Sequence, residues 1–347
     1  MTQTGTQARA LEGSWPALPH ERTWSGVALF GTSVSTAIAT WCFLIGGYVA
    51  YYLPAAKGTV AMVAGSLIGI LLILLATMPV ATKYGIDSIA ATKPQLGWRG
   101  SQLALFLLYT VVIGWNCVLL VFLGRAGAEI FIATGLAGEG SRPLLVSGLG
   151  VAGILLVWFC LRRGPGAMRD LGPFIAGGVL LLGLWILVLL VRNAGWSAIF
   201  AAKPSASSGN SLWDYTTGVE ILIASVLSWW PYAGGMVRLV PSARTAKWPV
   251  IFGLGLPVSL VSIIGLWSGL AIPESGGDPT TYLVELGGLW AGVPALAFIA
   301  FANIGTTMVG VYVTALGLRQ LDVVQRRTTW NQTIMITVLP ALLVIVA

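Results

Sequence analysis

Apolar residues come in long blocks along this chain, and polar residues gather in the short gaps between them. A helix needs about 20 mostly apolar residues to cross a bilayer. Nine blocks of that order can be read, at roughly 24–50, 58–82, 100–124, 143–161, 171–193, 216–237, 248–272, 290–316 and 330–347. The pattern predicts an all-α polytopic membrane protein, with a polar leader over 1–23 and one transmembrane unit over 24–347. Between the blocks, KYGIDSIAATKPQLGWR (83–99) predicts a short interfacial helix broken at Pro94. The acidic stretch 273–289 suits turns or a short surface helix, and KPSASSGNS (203–211) a flexible loop. The ninth block stops at Ala347 just as it reaches span length, which reads as C-terminal truncation.

Three blocks break the apolar pattern from within. The first holds FGTSVSTAIATW (30–41), dense in hydroxyls, and the sixth holds SVLSWWPYAGG (225–235), where Pro231 removes a backbone donor. A helix interrupted at bilayer depth is tolerated only where its freed backbone is buried in protein or lines a cavity. The two blocks stand five apart, as matching elements of an inverted repeat would, and interrupted segments in matching positions point to a transporter's binding site. The alternative is a plain proline kink with hydroxyls bonded back to carbonyls. The eighth block holds FIAFANIGTTMVG (298–310), in which Asn303, Thr306 and Thr307 fall at i, i+3 and i+4 on one helical face. They suit interhelical hydrogen bonding, at about 0.6 kcal/mol per contact, or a face offering hard oxygens to a small cation and a carboxamide to an amide-like ligand. Trp115, in mid-block, is either packed core or a stacking platform for a flat ligand, and Trp229 and Trp230 pose the same choice.

Composition agrees with the blocks: 56% of residues are hydrophobic and 9% charged, against about a quarter charged in ordinary soluble domains. Charge then gives an orientation. The leader and the loops after even-numbered blocks carry 14 of the 19 Lys and Arg residues, and the opposite face carries Lys57, Arg125, Arg142, Arg192 and Lys203. The positive-inside rule places the N-terminus in the cytoplasm of a multi-pass inner (plasma) membrane protein. That asymmetry accounts for the net charge of +7 without a nucleic-acid partner. Cys42, Cys117 and Cys160 lie in apolar blocks with no metal-ligand spacing. No block holds a cluster of His, Asp, Glu and Cys, so the chemistry of an enzyme is not indicated and no cofactor is expected. Glu220 is the one carboxylate inside a block that merits testing, most simply as an interfacial acid.

The ordered set of features resembles the nucleobase–cation symporter family 1, over about residues 24–330. It comprises the first-block stretch, GIDSIAATKPQLGWRGS before the third block, the Gly-Trp within that block, the arginine in GGMVRLVPSARTAKWPVIFG, and NIGTT in the eighth. The resemblance implies a five-plus-five inverted-repeat fold with discontinuous helices 1 and 6. It implies a sodium- or proton-driven importer of a planar heterocycle, of the cytosine, purine, hydantoin, allantoin or thiamine-precursor class. It puts Trp115 on the ring, Ser225, Ser228 and the backbone near Val226 on its edge, Trp229 beside it, and Asn303 on its amide-like side. Thr306 and Thr307 would bind sodium with carbonyls from Gly31 to about Ser35. The chain departs from the family in three places. Gly235 stands where an aspartate is usual, and Val112 and Leu119 where relatives carry glutamine. The family has twelve helices, so the alternative to a symporter is a truncated, non-transporting or ligand-sensing relative.

Overall fold

The computed structural model describes residues 16–346, so the expected leader lies outside the described residues as far as residue 15. Helices α1 (Gly26–Ala37) and α2 (Thr40–Ala50) make the first block, bent by 55° where they meet. There follow α3 (Ala55–Tyr84), α4 (Lys93–Ala133), α5 (Arg142–Leu161), α6 (Gly166–Ala194) and the short α7 (Trp196–Ala201). The sixth block is α8 (Ser211–Leu227) and α9 (Trp230–Val237). The seventh is α10 (Ala243–Val250) and α11 (Leu256–Ala271), joined by a π-helical turn over Ile251–Gly255. The eighth is α12 (Leu283–Leu318), and a surface turn, α13 (Asp322–Arg327), leads to the ninth, α14 (Trp330–Val346). Each expected block thus coincides with a helix or an interrupted pair. Among the described residues, six helical runs are long and apolar enough to cross a bilayer unaided, and α1 with α2 makes a seventh; the α8–α9 pair and α14 fall short of that measure.

Two local expectations shift. The break in the 83–99 segment lies at Gly97, not Pro94: Pro94 sits in the first turn of α4, where its missing N–H costs nothing. Gly97 turns to φ 67°, a conformation that needs glycine. Gly288, at φ 59°, likewise separates a short helical turn from the rest of α12, within the stretch expected to hold a surface helix.

The packing repeats itself as an inverted repeat requires. Helix α2 lies along α11, and its counterpart α8 lies along α3. Helix α4 lies along its own counterpart α12, and α5 along α14. Helices α1–α3 and α8–α11 therefore form one group, and α4, α5, α12 and α14 a second, with α6 packed on both α1 and α12. Loop contacts agree with the alternation of faces. On the leader face, Ala17 N–H donates to Gly85 O at 2.9 Å and Trp24 N–H to Leu239 O at 3.0 Å. On the opposite face, Ala206 N–H donates to Tyr51 O at 2.8 Å.

The α2–α11 contact is backbone on backbone. A Cβ on Gly46 would come within 1.9 Å of Ser262 O, and one on Gly265 within 2.0 Å of Phe43 O. Small residues at such crossings let membrane helices approach closely. Gly265→Val should cost more than the roughly 1–3 kcal/mol of ordinary overpacking, because rigid backbone stands in the way. A fall of several degrees in the melting temperature of purified protein is the expected reading, and an unchanged melting temperature would refute this contact.

Candidate functional site

The break between α1 and α2 begins with crowding in its own sequence. Ser35 Oγ and Thr36 Oγ1 both donate back to Thr32 O, at 3.0 and 2.6 Å. Such back-bonds compete with helical pairing, and the β-branched Thr36, Ile38 and Thr40 stiffen the chain further. Ile38 (φ −99°, ψ 108°) and Ala39 (φ −143°, ψ 171°) run extended. Backbone groups freed there need partners, and α12 supplies them. Thr306 Oγ1 donates to Thr36 O at 2.8 Å. Thr40 N–H donates to Asn303 Oδ1 at 3.3 Å, while Asn303 Nδ2 donates to Thr40 Oγ1 and Ile299 O, both at 3.0 Å. Cys42 Sγ donates to Ala37 O at 2.8 Å. Asn303 and Thr307 are wholly buried and Thr306 is 2% exposed, so the polar stripe faces the protein interior.

The α8–α9 break is gentler. Ser228 (φ −60°, ψ −20°) and Trp229 (φ −80°, ψ −2°) stay right-handed. Pro231 in the first turn of α9 interrupts the ladder, Ser228 Oγ donates to Ser225 O at 2.6 Å, and Trp229 N–H donates to Val226 O at 3.0 Å.

Both breaks open onto one cavity. It is lined by Ala39, Trp41 and Cys42 from the first break, Ser228, Trp229 and Tyr232 from the second, Trp115 and Leu119 of α4, and Thr306 of α12. Its volume is about 30 Å³, near the share of a single water in the liquid. Trp41 meets Trp115 edge-on with ring centroids 4.5 Å apart, and Trp229 meets Tyr232 in the same way at 5.1 Å.

The structure thus brings Trp115, Ser228, Trp229 and Thr306 together and sets the other candidates apart. Asn303 spends both amide hydrogens and one acceptor position on Thr40 and Ile299, which makes it a clip on the helix break. Thr307 Oγ1 donates back to Asn303 O at 2.8 Å. Gly31 lies against α6, where a Cβ would come within 2.5 Å of Pro173, so the carbonyl that meets the threonine stripe is that of Thr36 instead. Ser35 O faces α12 across Gly305, where a Cβ would approach it to 2.8 Å. Val226 buries its side chain against Gly69, and Ser225, whose Oγ is buried without a hydrogen-bond partner, does not line the cavity. Glu220 is exposed on α8 and does not line the cavity. Trp41 and Tyr232 are the residues that sequence reasoning passed over. Both stood within the quoted stretches, but ring position across a break has no periodic signal.

Below the cavity, the leader face is closed by a buried polar cluster. Asp87, 5% exposed, accepts from Gln320 Nε2 at 3.0 and 3.1 Å and from Ala90 N–H at 3.2 Å. Burial pushes its carboxyl above the usual range, while the charge of Arg238 and nearby backbone N–H groups pull the other way. Asp87 therefore stands as the carboxylate near Arg238 in a chain that has Gly235 where the resemblance expects an aspartate. Arg22 Nε donates to Ala17 O at 2.9 Å and its guanidinium also reaches Thr82 O. Ser88 Oγ donates to Trp230 O at 2.8 Å.

These elements define a class of fold, an inverted-repeat transporter scaffold with a site at its two interrupted helices. Among solved structures the chain is similar to Mhp1, described as a nucleobase-cation-symport-1 family transporter, in a closed conformation with bromovinylhydantoin bound. The TM-score is 0.76 at 17% identity, covering 96% of this chain and 74% of that one. The inward-facing conformation of Mhp1 gives 0.74 at 17% identity, over 95% and 72% of the two chains. A Na+-coupled sialic acid symporter in a substrate-bound, outward-open state gives 0.66 at 14%, over 98% and 78%. No protein-family model matches the chain, and no curated protein does. At these identities the likeness establishes the shared fold, and with the apolar helical runs it makes this a multi-pass membrane protein.

Asn303→Ala should strand the N–H and hydroxyl of Thr40 in an apolar interior. Leaving a buried group without its partner costs about 1–3 kcal/mol, so the purified variant should melt several degrees lower. A melting temperature equal to the parent's would refute the clip assignment.

Proposed function

We propose that this chain is a secondary active symporter that imports a neutral, planar heterocycle together with sodium by alternating access. The observation that carries the reading is the meeting of both helix breaks, Trp115 and Thr306 at one cavity between two helix groups. Among the described residues none of Asp, Glu, Lys, Arg or His lines that cavity, which favours an uncharged ligand. Its walls are aromatic, and flat rings stack well on such surfaces. The nucleobase, hydantoin, allantoin and thiamine-precursor classes share this chemistry. Mhp1 with its bromovinylhydantoin is the solved structure whose ligand is of the same kind.

Sodium is preferred over the proton because, among the described residues, no carboxylate or histidine lines the cavity to carry a proton. Thr306 Oγ1 and the Thr36 and Ser35 carbonyls are hard oxygens, and freed carbonyls beside hydroxyls are how broken transporter helices hold a cation. A cation there would replace the hydroxyl–carbonyl hydrogen bond with two metal–oxygen contacts. The basic leader face supports an N-terminus in the cytoplasm.

The test is thermal stabilisation of the purified protein by purines, pyrimidines, hydantoins and thiamine precursors, each with and without sodium. We expect stabilisation by at least one neutral heterocycle, larger with sodium, and uptake of the same compound into vesicles. Stabilisation without uptake would favour a ligand-sensing relative, and the absence of any heterocycle effect would remove the reading. Thr306→Ala should raise the sodium concentration for half-maximal stabilisation about tenfold, equivalent to about 1.4 kcal/mol. Thr307→Ala should have the smaller effect, because its hydroxyl is bonded along its own helix. An unchanged sodium requirement in Thr306→Ala would overturn the cation assignment.

A further inference from the structure

Behind the aromatic wall lies a polar group that the proposed binding site has not used. Asn116, next to Trp115 on α4, is 1% exposed, and its Oδ1 has no hydrogen-bond partner. A buried carbonyl left without a donor is costly, and the few such groups in a native structure call for a specific explanation. Gly310 of α12 marks where the carboxamide points. A Cβ there would come within 2.6 Å of Asn116 Oδ1, 3.0 Å of the Tyr232 hydroxyl and 3.2 Å of Val112 Cγ1. The space that glycine leaves is therefore shared by an unpaired acceptor and a phenol, and the tyrosine itself lines the cavity.

We propose that Asn116 and Tyr232 form a hydrogen-bonding subsite for the ligand, at which Asn116 Oδ1 accepts from an N–H on the heterocycle edge and the Tyr232 hydroxyl bonds the neighbouring ring atom. The inference rests on the proposed heterocycle reading and narrows it to rings carrying a lactam or amide-type N–H. Chemistry favours this assignment over a packing role. An apolar residue of similar volume would pack beside Gly310 without a desolvated acceptor, and an alanine at 310 would push the Asn116 carboxamide aside. Asn303, the carboxamide expected to read the ligand, is consumed by the α1–α2 break. Asn116 does not itself line the cavity, but it adjoins the lining residue Trp115, meets the lining residue Tyr232 across Gly310, and has an unpaired acceptor to offer. Discrimination by such a group is strong, because a ligand lacking the N–H leaves the buried oxygen unpaired.

The experiment compares uracil and hydantoin with their N,N′-dimethyl counterparts, by titrated thermal stabilisation in saturating sodium. The unmodified protein should bind the N–H forms at least tenfold more tightly. Asn116→Leu should abolish that preference while still binding a dimethyl form, and Gly310→Ala should act in the same direction by filling the space. Tyr232→Phe, which removes one oxygen, should reduce the preference severalfold and serves as the reading if the Asn116 variant does not fold. If the unmodified protein binds N–H and N-methyl forms alike, or if the preference survives in the folded variants, the subsite is overturned while the heterocycle reading stands. If the unmodified protein binds none of the four probes, the narrowing to these lactam rings is overturned, and the heterocycle reading is decided separately by the wider panel of purines and thiamine precursors.

Discussion

The site depends on the contact between α12 and the break in the first transmembrane helix. Within a bilayer an unpaired backbone group has no water to turn to and costs several kcal/mol. The extended residues Ile38 and Ala39 release such groups in the middle of the molecule. Thr306 takes the Thr36 carbonyl, and Asn303 takes the N–H and hydroxyl of Thr40. The polar stripe of α12 is thus the condition for the break, and the break is the condition for the cavity. A stripe placed one face around the helix would leave α1 and α2 continuous, or leave them broken and unstable.

The two breaks have different mechanical consequences. The α8–α9 break is bridged mainly within its own segment, by Ser228 and by turns of right-handed backbone, with Ser88 adding one bond to Trp230 O from the connection between α3 and α4. The α1–α2 break is satisfied by the other helix group, so any movement of one group against the other acts on the Thr306–Thr36 bond and the Asn303 clip. A cation that ligates the Thr306 hydroxyl and the Thr36 carbonyl would stiffen the same link. Ion and ligand would then favour each other's binding through one element, and linkage makes that coupling reciprocal.

Much of this was legible in the sequence because it leaves a pattern. Long apolar blocks, hydroxyls crowded at 30–41, Pro231 between Trp230 and Tyr232, and three polar residues at i, i+3 and i+4 each report a physical requirement within one segment. What escaped depends on relations between segments. Nothing local distinguishes an asparagine that meets a ligand from one that clips a broken helix, and the bonds of Asn303 to Thr40 and Ile299 show only in the folded chain. Gly31 packs against Pro173 of α6, and the carbonyl that Thr306 meets is that of Thr36, one residue past the stretch expected to face a cation. Trp41 sits one residue beyond Thr40, and only the turn in the chain brings its ring against Trp115. Asn116 was hidden beside a tryptophan that drew the attention, and its meaning appears only when Gly310 and Tyr232 are seen to share its space.

The same contacts explain why the cavity is so small in this conformation. Ligand pockets commonly measure about 300–1,000 Å³, roughly ten times what is found here or more. The missing volume is occupied by rings. Trp41 belongs to α2 and Trp115 to α4, so their edge-on contact spans the interface between the two helix groups. Trp229 and Tyr232 both lie at the α8–α9 break, within one group. Separating the groups must therefore part Trp41 from Trp115 while leaving the second aromatic pair intact, and the space released adjoins Trp115. Cavity volume and the angle between the groups are one coordinate in this architecture. A flat ligand that wedges between the two tryptophans would keep an aromatic contact on each ring while they stand apart, whereas the empty site recovers that contact only by closing.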